Sequence, residues 1–369
     1  MVSKKATPFF YIFLLLLVQT GFAQQDTTSS QKKRLVNASG FVDAFYAYDF
    51  NQSSDKYRLP FLVNHNRHNR FNVNLALIKI VLDHSRYRSA IAIQAGTYAV
   101  DNYAAEPDFL KYISECNVGA ALNQKRNLWL DVGILNSHIG FESAVSIDNW
   151  NLTRSLLAEL SPYYMAGAKL TYNPSKKLEL VALVCNGWQR IQPVVGNSLP
   201  AFGTQLKYTH SKNVLLNWST FVGTDDPNIT RRMRYFNNFY GQFQFSEKIG
   251  IIAGFDIGMQ QKLKRSQEYG YWFSPVLIAR CKFTPKLATA VRYEYYEDKF
   301  NIIVPAAAVK NHALYTSGLS LNLDYTPVPV FAWRIEGRWL SSPANIYPLG
   351  SSYTQSNLAV TASVAIRFE

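Results

Sequence analysis

Apolar and polar residues alternate one by one along most of this chain. In 331–339, Phe331, Trp333, Ile335 and Trp339 take one parity, and Arg334, Glu336 and Arg338 take the other. In 319–325, Leu319, Leu321, Leu323 and Tyr325 alternate with Ser320, Asn322 and Asp324. The last segment sets Leu358, Val360, Ala362, Val364, Ile366 and Phe368 against Thr361, Ser363 and Arg367. Successive side chains of a strand point to opposite faces, so a period of two marks a strand with two different environments. About sixteen such segments follow one another. They lie near 39–50, 69–83, 87–98, 111–122, 127–138, 163–173, 177–189, 200–210, 213–224, 232–246, 249–261, 269–284, 287–299, 312–326, 330–340 and 356–368.

The connections alternate as well. Tight polar turns sit at Asp83–Arg86, Asn123–Arg126, Asn173–Lys176, His210–Lys212, Ser246–Lys248, Thr284–Lys286 and Thr326–Pro329. Between them lie the longer stretches 51–68, 99–110, 139–162, 190–200, 225–231, 262–268, 300–311 and 341–355. Short turns at one rim and long loops at the other describe an all-β, closed antiparallel transmembrane barrel with periplasmic turns and outer loops. A propeller would need a repeat of about 45 residues, which the chain lacks. A sandwich would not explain the aromatic residues near strand ends. Tyr46, Tyr48, Tyr163, Tyr164, Tyr172, Tyr271, Trp272 and Trp339 fit girdles at two membrane interfaces.

Composition narrows the class further. With 48% hydrophobic, 14% aromatic and 17% charged residues, the chain is too apolar for disorder. The longest apolar run, 9–18, is about half of what a spanning helix needs. Lys4 and Lys5, that run, and Gly21-Phe22-Ala23 have the layout of a signal peptide over 1–23. The expected organisation is then a short periplasmic segment over 24–38 and a single barrel over 39–369, delivered to the cell outer membrane. The expected partners are outer-membrane lipid and small hydrophilic solutes or ions, with no nucleic acid. Homo-oligomerisation is left open, and no cofactor is expected.

The block 133–164 carries Gly133, Ser137, His138, Ile139, Gly140, Glu142, Asp148, Asn149, Trp150, Thr153, Arg154, Ser155, Ser161, Pro162 and Tyr163. With Ser39–Tyr46 and Asn186-Gly187-Trp188, it resembles the β-barrel porin-2 family, the OmpL-like porins of Gram-negative outer membranes. The resemblance implies a porin without catalytic residues. Such barrels usually end on an aromatic residue; here Phe368 is followed by Glu369.

The third long loop holds the candidate site. Helical spacing over 148–160 puts Trp150, Leu152, Leu156, Leu157 and Leu160 on one half of a wheel. Asp148, Asn151, Arg154, Ser155 and Glu159 fall on the other. Ser146 or Asp148 can cap the helix, and Ser161-Pro162 can stop it. Folded into the lumen, its polar side would narrow the pore, with Arg154 facing Asp148, Glu142 or Glu159. The alternative is a helix on the outer rim or on a neighbouring subunit.

Alternation also assigns lumen charges. The basic set is Lys169, Lys207, Arg234, Arg280, Lys282, Arg292, Arg334, Arg338 and Arg367. The acidic set is Asp43, Asp131, Asp256, Glu294, Asp324 and Glu336. The basic excess lies in the last strands, as a wall of Arg280, Lys282, Arg292, Arg334, Arg338 and Arg367, and Lys/Arg rings favour anions. The bland reading is that these charges pair across strands. Cys116, Cys185 and Cys281 have no metal-ligand spacing, and His65 and His68 sit in a polar loop. Ser137-His138 on one strand would point to opposite faces and form no dyad. The Arg231-Arg232-Met233-Arg234 cluster fits either a phosphate-bearing lipid or a solvated loop face. Three functions stay open: a passive diffusion porin leaning to anions, a substrate-specific channel gated by the third-loop helix, and a non-conducting structural or enzymatic barrel.

Overall fold

The computed structural model describes residues 35–53, 56–107 and 109–369. The expected signal peptide lies outside the described residues, as does all of the expected periplasmic segment except its last four positions. Sixteen strands form one closed antiparallel barrel. They are β1 (Val36–Asp49), β2 (Arg70–Asp83), β3 (Tyr87–Ala95), β4 (Ile113–Ala121), β5 (Leu128–Asn136), β6 (Tyr164–Ser175), β7 (Leu178–Cys185) and β8 (Ala201–Ser211), followed by β9 (Val214–Gly223), β10 (Arg234–Gln244), β11 (Ile249–Gln261), β12 (Tyr269–Lys282), β13 (Leu287–Asp298), β14 (Leu314–Val328), β15 (Phe331–Ser341) and β18 (Ser356–Phe368). A two-stranded ribbon of β16 (Tyr347–Leu349) and β17 (Ser352–Thr354) decorates the last long loop.

The ring closes where β1 meets β18, in register from Gly40–Phe368 to Asp49–Ala359. Closure leaves no unpaired strand edge, which lipid could not satisfy. The short–long rhythm of connections is the one the sequence predicts. Alternation along β15 shows how the two faces divide. Trp333, Ile335 and Trp339 are exposed on the outer wall, while Arg334, Glu336 and Arg338 are buried inside the barrel.

Local chemistry moves several expected boundaries. The barrel begins at Val36 rather than Ser39. The strand expected to reach 98 stops at Ala95, because Gly96 adopts φ +115° and a short helix, α1 (Thr97–Asn102), follows. At Gly96 a Cβ would also stand 2.5 Å from the Asn74 carbonyl oxygen. The strand expected to reach 189 ends at Cys185. Two of the expected girdle residues are buried instead of facing lipid. Trp272 stacks on Phe236 with ring centres 6.0 Å apart, and Tyr164 stacks on Tyr103 at 3.9 Å. Trp272 has the inward parity of its strand, whereas Tyr164 shares the outward parity of Leu170 and Tyr172 and is covered by Tyr103 of the second long loop, so proximity to a strand end does not make either interfacial.

One irregularity organises the lumen. The β1–β2 register slips between Asp43, which faces Leu75, and Ala44, which faces Val73. Asn74 is the extra residue of a bulge, so Asn74 and Leu75 are both buried in succession.

Candidate functional site: the third loop across the lumen

The third loop leaves β5 and is fastened step by step to inward-facing side chains. At its start the Ser219 hydroxyl and the Gln205 amide donate to the His138 carbonyl, at 2.7 and 2.9 Å. The His138 Nε2–H donates to the Thr220 carbonyl at 2.8 Å. Gly203 makes room for this, since a Cβ there would lie 2.6 Å from Nε2. The Gly140 amide then donates to Asn238 on β10 at 3.1 Å.

The middle of the loop is held by the far wall. The Leu152 amide donates to Asn322 on β14 at 3.0 Å, and the Leu156 amide to Glu294 on β13 at 2.6 Å. Glu336 on β15 accepts from both the Thr153 amide (2.6 Å) and the Thr153 hydroxyl (2.8 Å). Arg292 donates to the Thr153 carbonyl at 2.5 Å, and Arg334 to the Asn149 carbonyl at 2.9 Å and the Ser146 carbonyl. β5 and β13 stand eight places apart in a ring of sixteen, which makes them diametrically opposite. The segment therefore crosses the lumen. On its return, the Ser161 hydroxyl donates to Asp256 on β11 at 2.7 Å.

These anchors explain why no continuous helix spans 148–160. A 3₁₀ turn covers Ser146–Asp148, and a single helical turn, α2, covers Leu156–Glu159. Between them the Asn149, Trp150 and Thr153 carbonyls and the Leu152 and Thr153 amides bond to wall side chains. The cap is Ser155, whose hydroxyl accepts from the Ala158 amide at 3.2 Å, not Ser146 or Asp148. Both sides of the expected wheel are covered, since Leu152, Leu156 and Leu157 are as buried as Asn151, Arg154 and Ser155.

The four expected constriction residues do not form one cluster. Arg154 keeps only Glu159, with its Nε donating at 3.2 Å. Its guanidinium lies 3.4 Å from the Tyr163 ring centre and 5.2 Å from that of Tyr98, and the residue is 2% exposed. Asp148 pairs instead with Arg367 on β18. Glu142 accepts from the Ser155 amide at 3.0 Å and from its hydroxyl. Burial pushes its carboxyl above the usual range, against the pull of Arg292. The expected field between Arg154 and Asp148 or Glu142 is thus absent, because each carboxylate finds a nearer donor.

The expected basic wall is largely neutralised. Arg292 pairs with Glu294 (3.3 Å) and Glu336 (2.9 Å), Arg338 with Glu294 (2.8 Å) and Arg334 with Asp324 (2.7 Å). Arg280 lies 3.8 Å from Asp324. Lys282 is exposed near the short-turn rim, with no ion pair among the described residues. The bland reading of cross-strand pairing is the one observed. Alternation marks Glu294, Glu336, Asn322 and Asp324 as inward. It does not mark Glu294, Glu336 and Asn322 as the grips on the loop.

The first long loop, which the sequence left as a polar connection, also enters. His65 Nε2 bonds Asp43 at 3.0 Å, its amide donates to Asn74 at 2.9 Å, and His68 Nδ1 accepts from the Asp49 amide at 3.0 Å. The two histidines thus serve separate carboxylate and backbone partners. No metal-ligand cluster occurs among the described residues. Glu159 joins the two loops, accepting from the Val63 amide at 2.6 Å and from Asn64 at 2.9 Å. Toward the long-loop end, Leu59, Phe61 and Leu62 of the first loop and Leu156 of the third pack with Val304, Val309, Ile346 and Tyr347 of later loops. Inward Phe221, Phe236 and Trp272 complete that apolar cluster. Toward the short-turn end a cavity of about 740 Å³ remains. It lies between the third loop, at Phe141, Glu142 and Tyr163, and the wall at Leu77, Lys79 and Glu115. Ser137 and His138 lie past the end of β5, so the two-faces argument does not describe them. They still form no dyad, because His138 is committed to Thr220 and the Ser137 hydroxyl accepts from the Ile139 amide at 3.1 Å.

The sequence profile of the family described as "Putative beta-barrel porin-2, OmpL-like" matches residues 35–368. No curated protein matches in sequence. Among solved structures the chain is similar to the outer membrane channel DcaP of Acinetobacter baumannii. Identity is 13% and the TM-score 0.60, over 90% of this chain and 97% of that one. It is also similar to an anion-selective porin from Comamonas acidovorans, at 9% identity and a TM-score of 0.59, covering 90% and 99%. Salmonella typhi OmpF in complex with daunomycin gives 9% and 0.56, over 90% and 97%. At these identities the likeness is one of fold.

Proposed function

The chain belongs to the OmpL-like β-barrel porin-2 family, and from that premise we propose that it is an outer-membrane channel for passive diffusion of small hydrophilic solutes. The observation that carries this is the third loop, which crosses the lumen and is gripped by Glu294, Glu336, Arg292 and Arg334 on the far wall. A segment so placed sets the width available to a solute without interrupting any strand. Preference for anions is weak on this reading, because five of the six wall cations already face carboxylates. Fixed charges steer ions when they are unpaired at a narrow point. No group in the lumen is assigned to catalysis.

The test is single-channel recording on purified protein in planar bilayers, with a variant lacking residues 148–160. The intact channel should give steady ohmic steps, and the deletion should give larger ones while the barrel still assembles. Equal steps would remove the loop from the conduction path. Absence of any conductance in both would end the channel reading. The apolar cluster of the first, third and later loops favours a second reading, a channel that opens only for one solute class. Steps blocked by a single class of solute would identify it.

A further inference from the structure

We propose that the rim between β9–β10 and β11–β12 binds the phosphate of a lipid headgroup, independently of whether the barrel conducts. Loops 224–233 and 262–268 stand at the long-loop end and enclose a cavity of about 490 Å³. It is lined by Asn228, Arg231, Met233, Gln261, Lys264 and Arg265. Every carboxylate of these two loops is already taken. Asp226 holds Arg232 at 2.7 Å, Asp225 holds Arg234 at 3.7 Å, and Glu268 holds Lys262 at 3.1 Å. Arg231, Lys264 and Arg265 are left around the cavity with no ion pair among the described residues. Arg231 meets only the Asn228 side-chain oxygen, and its Nε is covered and has no partner. Three uncompensated cations converging on a concave surface present a field for a multiply charged anion, which phosphate oxygens would satisfy.

Position separates a lipid from a soluble anion. Ladder pairing runs on past the strand ends, with the Gln261 amide donating to the Met233 carbonyl at 3.0 Å. Met233 and Gln261 thereby continue the outward registers of β10 and β11. One step below, Tyr235, Tyr269 and Tyr271 form an aromatic band on the outer wall, with the first two rings 6.2 Å apart. Such a band marks the membrane–water boundary, so the cations stand at headgroup height. Beside them Ile229 is 81% and Leu263 72% exposed. Isolated from lipid, these two side chains face water; against a lipid they cover acyl chain below its phosphate. Cations interleaved with bare apolar side chains are the pattern of an interfacial anchor.

The experiment is native mass spectrometry of the folded barrel in detergent. The probes are dioleoylphosphatidic acid, dioleoylglycerol as its phosphate-free counterpart, and inorganic phosphate. Phosphatidic acid should be retained, while dioleoylglycerol and inorganic phosphate should not. Neutralising cations should weaken retention by about fivefold each, hence about a hundredfold for the triple Arg231→Gln, Lys264→Gln, Arg265→Gln variant. A second variant, Ile229→Ser with Leu263→Ser, should lose retention while keeping all three charges. Heat-modifiable gel migration confirms that each variant is a barrel. Equal retention of dioleoylglycerol, undiminished binding by the triple variant, or binding of inorganic phosphate as tight as that of the lipid would each overturn the assignment.

Discussion

Replacing Glu336 by Ala is the sharpest perturbation of the third loop. Its carboxylate is 1% exposed and accepts from the Thr153 amide, the Thr153 hydroxyl and Arg292. Alanine leaves two loop donors without acceptors and removes one of the two carboxylates beside Arg292. The Arg292–Glu336 pair joins two wall strands and is present whether or not the loop is docked, so the docking loss is that of the two Thr153 bonds. Hydrogen bonds to a charged group are worth about 1.5–3 kcal/mol each, which sets the loss at about 3 kcal/mol or more. At about 1.4 kcal/mol per decade, that shifts the docked-to-released ratio of the loop by at least about a hundredfold. The barrel itself loses no backbone pairing. The assay is limited proteolysis of the folded barrel in detergent, mapping cuts between 142 and 161, beside single-channel recording. Cleavage there should accelerate and open-channel noise should rise. Glu336→Gln should do less, since its amide oxygen still accepts from Thr153. Unchanged protection and unchanged noise in Glu336→Ala would refute the idea that the far wall holds the loop.

Arg154→Ala should alter conductance more than ion selectivity, because the guanidinium is buried between Tyr98 and Tyr163 and leaves Glu159 without its cation; bilayer recording reads both. The zero-current potential under a KCl gradient should be small, and a strong preference of either sign would show unpaired charge at the narrow point. Acid should loosen the start of the third loop. Burial lowers the His138 imidazole from 6.5 to about 4, so its contribution is complete above 6.5, falls as pH drops through that window, and is gone below about 4. Proteolysis near 138 should therefore rise between pH 6.5 and 4, and His138→Gln should flatten that rise.

Period-two alternation was enough to find the strands. A barrel wall meets lipid on one side and a polar interior on the other, so every strand must declare two faces. The hairpin turns are equally local, and with them the short–long rhythm and the outward set of Trp333, Ile335 and Trp339 were fixed by neighbours in the chain. Depth and partnership were not. Tyr164 shares the outward parity of Leu170 and Tyr172, yet it is 1% exposed because Tyr103 of the second long loop stacks on it. The bulge at Asn74 adds one residue to a strand and leaves no compositional mark. The leucine spacing of 148–160 favours a helix for an isolated segment. In the closed barrel, Asn322, Glu336, Arg292 and Arg334 offer the same backbone groups charged and amide partners from across the ring. Hydrogen bonds to charged groups are worth about twice those between neutral ones. The wall therefore decides the loop's conformation, and it exists only once strands far apart in sequence have closed into one sheet.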